Sequence, residues 1–391
     1  MKRPLVLLAS LASFSLYAQD ARIQAMGGAG TANADYLAAP FYNPALLSHF
    51  DESDDFGLEL PSIAASFQDK DSLLDKIDDF QDLNDRLEAV QQNPNGTTQA
   101  EAEQLVGQWQ DALRKMNGNS LDGEIGLGAA MALPNKTLSS AFFIGVTAYV
   151  RGIVDIDEND LDWTAAELPD QDLDNLNSNV KAVGIAVVDT GLAFSHGFTL
   201  NNGDLLMVGA SPKAQRIYSY FYQADVSNFD DSDWDDSQYR QDKSAFNLDL
   251  GLAYQHDNWR LGLSGQNLFK QQVDSIIINQ QQFRYQLKPR FTLGGSYENH
   301  WFAATLEAEL TKTELPSFIG EKQQWVRAGV EFDAYRWAQL RLGYRHDLEE
   351  GQNVLTAGVG FSPFDTVHLD FAFETGQNSH TGGALTLGFT F

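Results

Sequence analysis

The sequence predicts an all-β protein, a 14-stranded antiparallel transmembrane β-barrel. Apolar side chains alternate with small or polar ones over segments of about 10 residues, as required when one face of a strand meets lipid and the other meets the lumen. The connections between these segments are alternately short and long, at least in the first two-thirds of the chain, and a soluble sandwich has no reason to sort its loops in this way. The last segment, residues 382–391, alternates strictly and ends on Phe391. The predicted strands are 55–68, 120–133, 138–154, 180–199, 204–224, 243–256, 258–269, 285–298, 300–313, 323–333, 336–348, 352–362, 365–376 and 381–391.

Residues 1–18 are predicted to be a signal peptide. Lys2 and Arg3 precede an apolar stretch from Leu5 to Leu16, which is too short to span a bilayer, and Ala18 offers a cleavage point. No later run approaches about 18 apolar residues, so the alternating pattern makes a barrel the expected outcome of export. We therefore expect a bacterial outer-membrane protein that contacts membrane lipids and lipopolysaccharide and is inserted by the barrel-insertion machinery.

Composition excludes several classes of function. The chain has 26 basic and 54 acidic residues, and a formal net charge of −28 argues against a nucleic-acid partner. It has no cysteine, so disulfides, thiol redox chemistry and cysteine metal sites are absent. The seven histidines lack the spacing of a metal site, and none accompanies a recognisable nucleophile. We predict no enzyme activity, no cofactor and no metal.

Two acidic loops, residues 155–160 and 230–236, suggest calcium. The first has Asp160 at the sixth position, where an EF-hand loop has glycine, so structured binding is not expected. Weak association of divalent cations between these loops and a lipopolysaccharide surface stays open.

The N-terminal segment, residues 19–50, is predicted to be a plug, with the barrel over residues 51–391. Gly27, Gly28 and Gly30 permit positive φ angles and a close approach of the backbone to the barrel wall. Pro44 starts a short helical turn that Asn43 caps.

A helical insertion is predicted at residues 69–117, in the first extracellular loop. Residues 69–92 and 98–116 have apolar side chains at helical spacing. The two helices either pack on each other and on the rim or shape an apolar groove at the barrel mouth.

The strand faces separate two kinds of side chain. Aromatic residues beside the short turns are typical of an interfacial belt, and they are Trp259, Trp301, Tyr335, Trp337 and Phe364. Charged residues fall on the inward faces of four late strands, where opposite charges are able to pair across the ladder. They are Glu307, Glu309, Arg327, Glu331, Arg341, Arg345, Asp370 and Glu374. A solvated interior and a functional conduit both fit this pattern.

The last strand is predicted to have an outward apolar face and a small or polar inward face. Leu385, Leu387, Phe389 and Phe391 are expected to face lipid. Phe389 and Phe391 are our candidates for barrel assembly.

The sequence resembles the FadL superfamily of outer-membrane transporters for hydrophobic compounds. The resemblance rests on the glycine-rich residues 21–32, which include Met26-Gly27-Gly28, and on residues 39–47, which include Phe41-Tyr42-Asn43-Pro44-Ala45-Leu46-Leu47. Asp35-Tyr36-Leu37, Asp54-Asp55-Phe56-Gly57 and Asp78-Asp79-Phe80-Gln81 extend the resemblance over essentially the whole mature chain. Within the superfamily these residues are most similar to the barrel proteins labelled conjugal transfer protein TraF. The plasmid protein of the same name that is similar to thioredoxins is a different protein, because its chemistry needs cysteine.

The resemblance implies passive uptake of a hydrophobic or amphipathic small molecule or lipid. It also implies an N-terminal hatch that shifts when ligand binds, which makes Asn43, Pro44 and Ala45, with the three glycines, the candidate gating residues. A rigid plug is the alternative for the segment. For the whole protein the alternative is a structural anchor of a conjugation, secretion or surface-attachment system, with a periplasmic partner protein.

Overall fold

The computed structural model describes residues 20–69, 71–227, 237–315, 322–335 and 337–391. The predicted signal peptide at residues 1–18 and the acidic loop at residues 230–236 lie outside the described residues.

Fourteen strands close into an antiparallel barrel in chain order, and the first strand pairs with the last. This confirms the predicted fold class and strand number. The barrel strands are β1 (Gly57–Asp69), β2 (Ser120–Leu133), β3 (Ser139–Asp155), β4 (Asn179–Thr199), β5 (Leu205–Asp225), β6 (Arg240–His256), β7 (Trp259–Gln266), β10 (Arg290–Asn299), β11 (Phe302–Glu309), β14 (Trp325–Ala334), β15 (Ala338–Asp347), β16 (Asn353–Phe361), β17 (Val367–Gly376) and β18 (Thr381–Thr390).

Two further strand pairs were not predicted. β8 (Gln271–Ile278) and β9 (Gln281–Leu287) form a separate two-stranded hairpin, here called the lumen hairpin, and β12 (Thr313–Glu314) pairs with β13 (Lys322–Gln323). The predicted strand 285–298 was therefore wrong at its start, because residues 285–287 belong to the lumen hairpin. The predicted strands 258–269 and 300–313 likewise end earlier, at Gln266 and Glu309.

The connections fall into two classes, as predicted. The turns that follow β2, β4, β6, β10, β14 and β16 are short and define one end of the barrel, here called the turn end, whereas the longest loops lie at the other end. The first long loop contains the predicted helices, α3 (Leu73–Gln92) and α4 (Gln99–Met116). No described helix is long and apolar enough to cross a membrane.

The helical insertion packs on itself and on the next long loop. Thr98 and Glu101 form a reciprocal capping box at the start of α4. Phe80 and Trp109 are completely buried between the helices, and the Trp109 ring lies 5.5 Å from that of Trp163. The Trp109 indole N–H donates to Asn84 Oδ1 at 2.9 Å. The apolar stripes are used in this packing, which supports packed helices over an open groove.

The outward face of the barrel is apolar and ends in aromatic residues at the turn end. Trp259 is 63% exposed, Tyr335 is 96% exposed and Phe364 is 85% exposed, as an interfacial belt requires. The ladder has one irregularity in β1, where the register shifts by one residue between Glu59 and Ile63 against β18. Pro61 lies inside this bulge. Proline lacks the N–H that a regular ladder uses, which explains why the pairing is interrupted there.

Candidate functional site

The N-terminal segment, residues 20–50, runs through the lumen, and nearly all of it from Asp20 to Leu47 is buried. It contains two short helices, α1 (Ala21–Ala25) and α2 (Ala39–Tyr42), and a 3₁₀ turn at Pro44–Ser48. α1 contacts β15 to β18 and β1, while the 3₁₀ turn contacts β3 to β6 on the other side of the barrel.

Hydroxyl groups of the wall hold the backbone of α1. Asp20 Oδ1 accepts from the Ile23 N–H at 2.7 Å and caps the helix. The Ala21 N–H donates to Thr386 Oγ1 at 2.8 Å. Thr356 Oγ1 donates to the Ala25 carbonyl at 2.8 Å and lies 3.0 Å from the Gly27 nitrogen. Short polar side chains therefore replace the water that a helix in an open lumen would use.

The predicted ionic face exists, and the segment is docked on it. Arg327 pairs with Glu307 at 3.1 Å and with Glu309 at 2.6 Å. Glu307 also accepts from the Thr31 N–H at 2.7 Å, so this pair reaches the segment.

Two more carboxylates of the same face bind the segment. Arg22 pairs with Glu331 at 3.0 Å, and Gln24 donates to Glu374 at 2.9 Å. Glu374 is in turn paired with Arg345 at 3.1 Å. The charges of the late strands fill one side of the lumen and fix the segment there.

The Asn43-Pro44-Ala45 turn lies against the opposite wall. Asn43 Oδ1 accepts from the Ala45 N–H at 3.1 Å, which confirms the predicted cap. Asn43 Nδ2 donates to the Thr31 carbonyl at 2.8 Å, and Ser195 Oγ donates to the Ala45 carbonyl at 2.7 Å. The wall is glycine where the turn touches it, because a Cβ on Gly209 would overlap Pro44 and one on Gly251 would overlap Asn43.

The predicted glycines differ in role. Gly27 and Gly28 have φ angles of +76° and +83°, which other residues rarely adopt. A Cβ on Gly27 would come within 2.9 Å of the Ala328 and Tyr344 carbonyl oxygens, so the close approach to the wall is confirmed there. For Gly30 the prediction needs correction: its φ is not positive, and the close neighbour is the Tyr42 ring of the segment itself.

The other side of the lumen is apolar. The lumen hairpin places Phe283, Tyr285 and Leu287 against inward side chains of β3, β4 and β5 in one buried cluster. The wall residues of this cluster are Tyr149, Val183, Ile185, Val187, Ile217 and Phe221. A lumen that served only as an aqueous pore would have polar residues at these positions.

A small cavity of about 70 Å³, here called the inner cavity, lies between the segment and the lumen hairpin. Phe41 of the segment meets Phe143 of the wall edge to face at 5.6 Å. Lys213 lines the same cavity and is paired with Asp189 at 2.9 Å and Asp249 at 2.8 Å. The walls of the cavity are therefore mixed, with apolar side chains such as Phe41, Phe143 and Leu287 beside paired charged residues.

A larger cavity of about 740 Å³, here called the turn-end cavity, opens on the other side of the segment. Its walls include Asp20, Arg22 and His49 of the segment together with charged wall residues. Burial, with the nearby Asp35 and Asp370, raises the pKa of Asp20 to about 7. Burial and the Arg260 guanidinium lower the pKa of His49 to about 4.

The described residues show no group of three or more histidines and carboxylates arranged for a metal ion. His368 lies 3.2 Å from Ser362 Oγ and 3.0 Å from Thr390 Oγ1, and its ring is thus held between two hydroxyls. The arrangement as a whole can occlude a lumen and bind apolar groups.

Sequence reasoning missed the lumen hairpin and the wall glycines that receive the segment. The alternation of Phe283, Tyr285 and Leu287 was visible, but the same alternation describes a barrel strand. The glycines lie on inward faces, and only the three-dimensional path of the segment distinguishes Gly209 and Gly251 from other lumen glycines.

Comparison with known proteins gives one family and one fold. The family described as "F plasmid transfer operon, TraF, protein" matches residues 40–308. No curated protein matches the sequence significantly.

Three solved structures have the same fold. The Ralstonia pickettii toluene transporter TbuX superposes with a TM-score of 0.58 at 15% identity, covering 97% of this chain and 100% of that one. The P. putida toluene transporter TodX gives 0.54 at 12% identity, with 96% and 99% covered. A Pseudomonas aeruginosa FadL homologue gives 0.54 at 10% identity, with 95% and 98% covered.

Proposed function

Because this chain belongs to the family described as "F plasmid transfer operon, TraF, protein" and has the fold of FadL-type hydrocarbon channels, we propose that it is an outer-membrane channel. Its cargo is a hydrophobic or amphipathic small molecule, taken up passively and without an energy source.

The observation that carries this proposal is the apolar side of the lumen. A passive channel for apolar compounds needs an apolar surface along its path. An apolar solute in the lumen would otherwise be exposed to water, which is unfavourable. The wall of β3 to β5 and the lumen hairpin supply this surface, and Phe41 and Phe143 lie beside it on the inner cavity, which Tyr285 and Leu287 also line.

The N-terminal segment closes this path, and we propose that it is the gate. It is held by hydrogen bonds and ion pairs to the wall, so it is able to shift without breaking the sheet. The Asn43-Pro44-Ala45 turn is held by Ser195 of the wall, and Ala45 belongs to a buried apolar cluster with Phe143.

The proposal is tested by uptake into Gram-negative cells that produce the barrel, with a labelled alkylbenzene as the apolar solute and a small sugar as the reporter of an aqueous leak. Asn43→Ala removes a cap and the bond to Thr31, a loss of about 1 to 2 kcal/mol for the closed state. We expect alkylbenzene uptake to rise several-fold while the sugar stays excluded. Deletion of residues 21–45 should admit the sugar as well.

Asn43→Ser is the matched control, because serine is still an N-cap acceptor for the Ala45 N–H and loses the amide donor to the Thr31 and Leu252 carbonyls without adding a charge. The control variant should raise alkylbenzene uptake less than Asn43→Ala does. Unchanged alkylbenzene uptake in both Asn43→Ala and the deletion, with normal barrel assembly, would show that the segment is not a gate.

The second candidate is an anchoring component of a conjugation, secretion or surface-attachment system. Two observations favour it: the family description refers to a transfer operon, and the turn-end cavity is large enough to receive part of a periplasmic protein. Absence of any uptake phenotype, together with loss of surface attachment or transfer in a deletion strain, would favour this candidate.

A further inference from the structure

The turn-end cavity carries an excess of negative charge at positions that the proposed uptake does not explain. Its walls contain nine carboxylate side chains but only three arginines. Each arginine is already paired: Arg22 and Arg341 with Glu331, Arg341 also with Asp370, and Arg260 with Glu298 at 3.4 Å.

Three carboxylates of this cavity have no ion pair within the part of the chain that the structure describes. Asp35 accepts only from the backbone N–H groups of Leu37 and Ala38, at 3.0 and 2.9 Å. Asp20 accepts from the N–H of Ile23. Glu59 is 2% exposed, and its Oε1 atom has no hydrogen-bond partner although the side chain lines the cavity.

A buried carboxylate oxygen without a partner is unfavourable, so this position needs a donor that the protein does not provide. Asp20, Asp35 and Glu59 are near enough to repel one another. Burial, and after it the charges of Asp35 and Asp370, raises the pKa of Asp20 to about 7. A cation placed among the three carboxylates would give the Glu59 oxygen a donor and would also offset the repulsion between the negative charges.

The inner cavity provides the contrast. Its cations are all paired: Lys213 with two aspartates, Arg290 with Glu309, Lys288 with Glu314 and Lys312 with Glu349. The charge of this cavity is therefore close to balanced, although not every Arg290 nitrogen is hydrogen-bonded. The uncompensated charge along the lumen is negative and lies at the turn end.

We propose that the turn-end cavity is a binding site for an organic cation, whose ammonium or guanidinium group sits among Asp20, Asp35 and Glu59. A volume of about 740 Å³ exceeds what a single metal ion occupies and lies within the usual range of about 300 to 1,000 Å³ for small-molecule pockets. Tyr36 and Leu37 supply apolar contact for the rest of the molecule. This deepens the proposed function, because it makes amphipathic amines the preferred cargo over carboxylates.

The test uses three probes that share one ring and differ in charge: benzylamine, benzyl alcohol and benzoate. Binding to the purified full-length barrel is measured by calorimetry in a nonionic detergent at about pH 8, where benzylamine is protonated and ordinary carboxylates are ionised. We expect benzylamine to bind about tenfold more tightly than benzyl alcohol, as one charged hydrogen bond implies, and benzoate to bind least.

The variant Glu59→Gln combined with Asp35→Asn should abolish the preference for benzylamine, since both amides keep the shape and remove the charge. Glu52→Gln is the matched control, because Glu52 pairs with Lys136 on the surface, outside the cavity. Circular dichroism and gel mobility establish that the variants are folded, and Asp35→Asn alone serves if the double variant does not fold.

Equal binding of benzylamine and benzyl alcohol to the native barrel, or a preference that survives in the folded double variant, overturns the proposal. Uptake of the same probes by cells separates it from the proposed function. Charge-selective binding with no uptake would leave the cation site standing and refute the channel.

Discussion

Two buried titratable groups of the N-terminal segment make its docking depend on pH in opposite directions. The pKa of Asp20, near Asp35, Asp370 and Arg22, is raised from 3.8 to about 7, so its contribution to stability is complete below about pH 3.8 and is lost as the pH rises towards about 7. The pKa of His49, near Arg260, Glu298 and Arg22, is lowered from 6.5 to about 4, so its contribution is complete above about pH 6.5 and is lost on acidification towards about pH 4.

Single substitutions should separate the two effects. Asp20→Asn keeps an N-cap acceptor and removes the charge, so we expect this variant to gain stability relative to the native barrel as the pH rises from about 4 to 8, by up to about 4 kcal/mol. His49→Gln should instead lose less stability than the native barrel on acidification. Thermal unfolding in detergent, followed by circular dichroism, measures both. If the stability of each variant changes with pH just as that of the native barrel does, then Asp20 and His49 are not the source of the pH dependence.

At the scale of a strand, β18 separates an outward apolar face from an inward face that is already occupied. Leu385 is 42% exposed on the outside, whereas Thr386 is buried and its Oγ1 accepts from the Ala21 N–H. Leu385→Arg should destabilise the barrel by about 2 to 4 kcal/mol near the middle of the bilayer, while Leu385→Phe should be tolerated. Refolding into lipid vesicles at a series of urea concentrations gives the free energy of unfolding of both variants. An equal loss of stability in the two variants would mean that this face of β18 is not in lipid.

Alternation was enough to find every barrel strand because the face of a residue is decided by its immediate neighbours in sequence. It failed for the lumen hairpin because β9 alternates as a barrel strand does, although Pro289, which lacks a ladder N–H, marks the break between β9 and β10. The charges of the late strands were predicted to face inward, and the ion pairs confirm it. That these charges also bind Arg22, Gln24 and Thr31 depends on contacts between residues some 300 positions apart, which no local pattern contains.

For the whole molecule, barrel closure depends on the seam between β1 and β18. The Phe391 N–H donates to the Phe56 carbonyl at 2.8 Å, and the Phe56 N–H donates to the Phe391 carbonyl at 2.9 Å. The Phe391 ring stacks on Phe389, with centroids 6.4 Å apart. Removing Phe391 should lower the yield of heat-modifiable folded barrel in outer-membrane fractions, whereas Phe391→Tyr should be tolerated. A normal yield without residue 391 would show that the seam closes through the other pairs alone.

The path of the N-terminal segment also constrains the order in which the molecule forms. Its backbone touches glycines of β5 and β6 on one side and of β14 and β15 on the other, so it fits only between walls that are already in register. Such close contacts on both sides favour docking of the segment before the last strands pair, because little space is left for it afterwards. By touching both walls the segment links distant strands within the lumen, and this link lowers the entropy loss of a closure that joins residues more than 300 positions apart, although the sheet pairs are able to form without it.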